Sequence, residues 1–212
     1  MNLFTRGFDY YIKKSLRALT RLDGKAASKF LQKAIEADEN GFRKVEYLAW
    51  QRISDDSYHL INDYSALSLF ALFLNFHKPS SCIGWLASAK VALQIDKYDE
   101  FEPCVERADS LISALAAEEI IWISISIYSL YVQYSNAKYR AMLLDSMAAI
   151  NEMRRITNRV AEYHKVVIER IERADKEIKL NPNVWKHYRA LCNAWPPYTE
   201  KVAYAERKLQ EG

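Results

Sequence analysis

The chain has 212 residues, 50% hydrophobic and 27% charged, and its 30 Lys and Arg against 27 Asp and Glu leave a formal charge of +3. This composition excludes disorder as the main state, and only five glycines and five prolines exclude collagen-like, low-complexity and turn-rich all-β architectures. The net charge is too small to name a nucleic acid or a membrane as partner, and a chain of this length fits one core, so a single α-helical domain over residues 1–212 is expected.

Thr5 opens a first segment in which Phe8, Tyr11, Ile12, Leu16, Leu19 and Leu22 recur at three- and four-residue steps, the spacing of one helical face. Asp23-Gly24 closes it. Lys25 to Asp38 carries Ala27, Phe30, Leu31, Ala34 and Ile35 on one stripe, and Asn40-Gly41 offers it a left-handed C-cap. A third helix is predicted from Phe42 to about Ile53.

Ser54-Asp55-Asp56-Ser57 supplies N-cap side chains for a fourth helix, Tyr58 to Phe76, whose second half is apolar all round and so is expected to have neighbours on every side. After Pro79-Ser80-Ser81, helices are predicted over Ile83 to about Tyr98 and Pro103 to Ala116, with Pro103 in the first turn, where its missing N–H costs nothing.

Glu119 to Tyr134 is ambiguous, because Ile121, Ile123, Ile125 and Ile127 alternate with polar or aromatic residues as in a strand. No second strand is evident to pair with it, so a buried helix is expected, with Ile120, Ile123, Ile127, Tyr131 and Tyr134 sharing a face. The same region is free of charge from Ile120 to Ala137, but Ser124, Ser126, Ser129, Gln133, Ser135 and Asn136 interrupt it too often for a transmembrane span.

From Lys138 to Leu180 no Gly or Pro occurs, and Val160, His164, Val167, Ile171, Ala174 and Ile178 form a seam. This predicts one long helix, or two with a bend near Asn151 to Asn158. Helices over Asn183 to Ala194 and Pro197 to Gln210 complete an all-α array of about eight to ten helices.

Cys82, Cys104 and Cys192 are odd in number and lack CxxC spacing, and the first 22 residues carry too many charges for a secretory signal. Reduced thiols in a cytoplasmic protein are expected. His59, His77, His164 and His187 are scattered, with no metal-binding spacing, no cofactor fingerprint and no nucleophile elbow, so neither metal, cofactor nor catalysis is expected.

One pair departs from this pattern. Arg159-Val-Ala-Glu-Tyr-His164 resembles the Arg-x4-His element of the HEPN ribonucleases, which implies an arginine and a histidine acting on RNA as helical dimers. The position after the arginine, usually polar in that family, is Val160. His164 also lies on the apolar seam, where a packed histidine is the alternative.

Charge is distributed unevenly. Residues 1–33 hold eight basic side chains (Arg6, Lys13, Lys14, Arg17, Arg21, Lys25, Lys29, Lys33) against Asp9 and Asp23. Residues 96–119 hold Asp96, Asp99, Glu100, Glu102, Glu106, Asp109, Glu118 and Glu119 against Lys97 and Arg107. Both blocks have an ordinary reading as solvated helix faces. For the basic one, the lack of aromatic residues interleaved on the same face leaves only weak, salt-sensitive attraction to phosphates, so nucleic acid is not the expected partner. The acidic one, through Asp96, Asp99, Glu100, Glu102, Glu106 and Asp109, is the candidate docking surface for a cationic protein.

With five tryptophans and fourteen tyrosines, the Trp185-Lys-His-Tyr188 to Trp195-Pro-Pro-Tyr198 stretch and serial helices without a catalytic motif, the chain resembles the helical immunity proteins of bacterial polymorphic-toxin and contact-dependent inhibition systems. That resemblance implies a cytoplasmic protein that neutralises one toxin, often a nuclease, by covering its active site. A helical-repeat scaffold that binds peptides fits the same features, although no fixed repeat period is present.

Overall fold

The computed structural model describes residues 7–54, 61–141, 147–194 and 198–211. Among the described residues it is all-α, with ten α-helices, one short 3-10 turn and no strand. The chain forms two compact units, residues 1–111 and 112–212.

The first unit contains α1 (Phe8–Thr20), α2 (Gly24–Glu36), α3 (Gly41–Ser54), α4 (Ile61–His77), α5 (Cys82–Gln94) and α6 (Tyr98–Leu111). The α1–α2 hairpin closes on Phe8, Ile12, Ala27 and Leu31, and the buried Ser15 hydroxyl donates to the Ala27 carbonyl at 2.8 Å. Asp23 starts α2 as an N-cap, its Oδ1 accepting from the Ala26 N–H at 2.9 Å, which satisfies one of the four unpaired donors of the first turn.

Two turns are closed by residues the sequence does not advertise. Leu22 and Asp96 both have left-handed backbone, with φ of 58° and 57°, while the described glycines have none. In each turn the next N–H bonds back to the carbonyl five residues earlier, Asp23 to Ala18 and Lys97 to Ala92, the Schellman closure in which glycine is the usual occupant. Gly41 therefore corrects the expectation of a left-handed cap. It is the first residue of α3, and a Cβ there would lie 2.5 Å from the Ile35 Cα, so glycine is needed for close approach of the two helices.

Helix α4 is buried through Ala66, Leu67, Phe70, Ala71, Phe73 and Leu74. It is not covered on every side, however: Leu72 is 70% and Phe76 81% exposed. Tyr58 to Leu60 and the capping residues Asp55 to Ser57 lie outside the described residues. Glu46 on α3 fastens the following turn by accepting from Lys78 Nζ at 2.9 Å and the Ser81 hydroxyl at 2.6 Å, while Ser81 Oγ caps α5 by accepting from the Gly84 N–H.

The second unit contains the turn at Ile112–Ala114, then α7 (Ala117–Ala141), α8 (Met147–Asp175), α9 (Pro182–Asn193) and α10 (Thr199–Glu211). The alternating isoleucines are helical, as expected. Glu119 Oε2 reaches back to the Ala116 N–H at 3.3 Å, the reciprocal half of a capping box, and fixes the start of α7. Residues 151–158 run through α8 without a break, so of the two alternatives for 138–180 the one with a bend at Asn151 to Asn158 is not the one observed; α7 ends at Ala141 and α8 begins at Met147.

The core of this unit joins Ile121 of α7 to Val167, Ile168, Ile171 and Ala174 of α8 and to Val184, Trp185, Tyr188 and Leu191 of α9. Arg170 donates to the Ser124 hydroxyl at 2.7 Å across α7 and α8. The predicted seam is buried at His164, Val167, Ile171 and Ala174, whereas Ile178 lies past the end of α8 and is 39% exposed. Asn181 caps α9 and Pro182 opens it, where a missing N–H costs nothing. The Pro196-Pro197 joint and Trp195 lie outside the described residues.

Candidate protein-docking surface

The helix boundaries change the meaning of the acidic block. Because α5 ends at Gln94 and the left-handed Asp96 turns the chain at once, α6 begins at Tyr98, five residues before the predicted start. Pro103 consequently sits inside the helix, not in its first turn, and withholds the N–H that would have met the Asp99 carbonyl.

On a helix these carboxylates sort by angle. Phe101, Val105 and Ala108 are buried and define the inner face of α6. With about 100° per residue, Asp99, Glu102, Glu106 and Asp109, spaced by three, four and three, project from one flank within an arc of roughly 80°. Asp99 and Glu106 are exposed, and Glu102 and Asp109 half-buried. Glu102, Glu106 and Asp109 each also have an interaction partner within the chain.

The other two predicted members stand apart. Glu100 points to the opposite flank and takes the Lys97 ammonium at 2.8 Å; that hydrogen bond holds Lys97 above the usual lysine range. Asp96 lies before the helix and accepts from the Tyr98 hydroxyl at 2.6 Å. Four of the six candidate residues thus form one stripe, and two do not belong to it.

Arg159 and His164 are not brought together. The His164 ring is 1% exposed, its Nε2 donates to the Leu191 carbonyl at 2.8 Å, and Tyr128 and Tyr198 pack against it at 5.5 and 5.4 Å between ring centroids. Arg159 lies at the surface, 3.4 Å from Glu162. The histidine is committed to holding α8 against α9.

Two carboxylates that the sequence does not single out carry the polar structure of the second unit. Glu172 Oε1 accepts from the Tyr188 hydroxyl at 2.6 Å and from Lys201, joining α8 to α9 and α10. Asp175 accepts from the Tyr204 hydroxyl at 2.5 Å and from Lys208 at 3.1 Å. Burial first, then the bond to Glu172, push the Tyr188 phenol far above the usual tyrosine range; the bond to Asp175 raises Tyr204, and burial raises the Cys192 thiol. Beside this network a groove of about 460 Å³ runs past Asp175, Ile178, Pro182, Trp185 and Lys208, with Lys208 Nζ 5.6 Å from the Trp185 ring centre.

The three thiols are free, Cys82 and Cys192 buried and Cys104 half-buried. Among the described residues no group of three or more His, Cys, Asp or Glu could hold a metal ion, and no helix is long and apolar enough to cross a membrane. Compared with protein-family models, with curated proteins and with solved structures, the chain matches none of them.

Proposed function

We propose that the chain is a non-catalytic binding protein that neutralises a cationic protein partner, and that its role is that of a cytoplasmic immunity protein against a bacterial toxin. The observation that carries this reading is the stripe of Asp99, Glu102, Glu106 and Asp109 on one flank of α6. A row of like charges on one flank of a helix speeds encounter with a positive surface and rejects negative ones. The burial of His164 and its bond to the Leu191 carbonyl favour this reading over a ribonuclease that uses Arg159 and His164.

A helical scaffold for peptides is the second reading. It is favoured by the serial hairpins of the first unit, in which α1 with α2, α4 with α5 and α5 with α6 are joined by short connections and packed on one another. Growth rescue separates the two. When the product of the neighbouring gene is toxic, co-expression of this chain restores growth, and changing Asp99, Glu102, Glu106 and Asp109 together to lysine abolishes rescue, whereas Glu100→Lys leaves it intact. Rescue indifferent to the four-residue change moves the interface elsewhere, and a harmless neighbour with no complex formed counts against the immunity role.

A further inference from the structure

Seven cations lie on the α1–α2 hairpin, Lys13, Lys14, Arg17, Arg21, Lys25, Lys29 and Lys33. Lys14 Nζ sits 5.0 Å from the Tyr10 ring centre and 5.3 Å from that of Phe30, which places it on the open seam between the two helices. Both rings are half-buried there. At about 100° per residue, Arg17 and Arg21 project within roughly 60° of Lys14, while Lys33 and Lys29 lie within roughly 60° and 100° of Phe30. Those four are exposed, and among the described residues none of the five cations takes part in an ion pair. Nearby acids are largely occupied: Asp23 caps α2, and Glu36 accepts from Gln32 Nε2 at 2.8 Å.

We infer that this seam is a docking surface for a single strand of nucleic acid. The sequence suggests only weak attraction because no aromatic residue is interleaved with the basic ones; the folded hairpin supplies two, Tyr10 and Phe30, in the same strip as Lys14, Arg17, Arg21, Lys29 and Lys33. Cations flanking a ring are the two elements by which proteins hold an unpaired strand, with phosphates neutralised along the rim and a base stacked on the aromatic face; Tyr10 already meets Tyr11 edge-on at 5.2 Å and Lys14 over its ring, so a base reaches that ring by displacing the Lys14 ammonium toward a phosphate. Arg17 lies in the last turn of α1 and Arg21 is its C-cap, so the two stand about one turn, roughly 6 Å, apart along the same edge. A duplex keeps its bases stacked inside and would leave Tyr10 unused, and a lipid surface would instead draw on Leu22, the exposed side chain at the hairpin tip.

The test is fluorescence anisotropy of a labelled oligothymidylate with the full chain across a salt series. Five phosphate contacts on a single strand predict a slope of log affinity on log salt of about −3.5. Lys29→Gln with Lys33→Gln reduces that slope by about 1.4, and Tyr10→Leu weakens binding about fivefold or more with the slope unchanged. Lys176→Gln with Lys179→Gln, on exposed lysines of the second unit, changes neither. Circular dichroism melts matching the parent keep these variants interpretable. No binding at low salt, a slope insensitive to Lys29 and Lys33, a duplex bound as tightly with Tyr10 indifferent, or preference for anionic vesicles lost on Leu22→Ser would each overturn the inference.

Discussion

The carboxylates of α6 and those at the end of α8 are the same chemical groups put to different uses. On α6 they form a stripe along an outer flank, with Asp99 and Glu106 exposed, although Glu102, Glu106 and Asp109 each also keep a partner within the chain. On α8, Glu172 and Asp175 each face a tyrosine and a lysine from a neighbouring helix, and their oxygens serve as acceptors that hold α9 and α10 in place. What decides the role is the side chain that packs across from the carboxylate, and a buried phenol commits an acid to the fold. Density of charge along the sequence is therefore a guide to surfaces and a poor guide to ties.

The largest effect that would break this distinction lies on α8. His164→Ala removes the donor to the Leu191 carbonyl and opens a void beside Tyr128 and Tyr198. It is expected to cost about 2 to 4 kcal/mol in denaturant melts. A value near zero would mean that the ring is not structural and would reopen a catalytic role.

Next comes Glu172→Ala, which leaves the buried Tyr188 hydroxyl without its acceptor and should cost about 1 to 3 kcal/mol. The same contact sets a pH dependence. Tyr188 holds its proton more tightly folded than unfolded, so its contribution is intact below about pH 10 and is lost as pH rises beyond that. Alkaline melts should fall away above about pH 10, and Tyr188→Phe should flatten that decline.

The smallest effect belongs to α6. Neutralising Asp99 and Glu106 to asparagine and glutamine should shift stability by less than about 0.5 kcal/mol, because exposed charges seldom contribute more. A loss comparable to that of Glu172→Ala would make the α6 acids structural as well.

The sequence carried much of this architecture. Helical periodicity located ten segments, including Ile121 to Ile127, where the want of a pairing strand outweighed alternation. Boundaries were harder, because Asn40-Gly41 and Pro103 suggest local punctuation while the folded chain uses Gly41 for close packing and places Pro103 within a helix. Leu22 and Asp96 are left-handed without being glycine; Asp23-Gly24 marks the turn after Leu22 but not which residue takes that backbone, and nothing beside Asp96 marks the other. Of the site, the acidic residues were legible but not their sorting, which needs the true start of α6. Glu172 and Asp175 could have been noticed as acids directly following the seam positions Ile171 and Ala174. Their partners Tyr188, Lys201, Tyr204 and Lys208 come from two other helices, a tertiary pairing that no local pattern encodes.

The most direct test of the central claim is calorimetric titration of the purified neighbouring-gene product with two charge variants of this chain. Changing Asp99, Glu102, Glu106 and Asp109 to lysine is expected to raise the Kd at least about tenfold, a loss of about 1.4 kcal/mol or more, while Glu100→Lys on the opposite flank leaves it within about twofold. Equal losses in both variants, or none in the first, would contradict it.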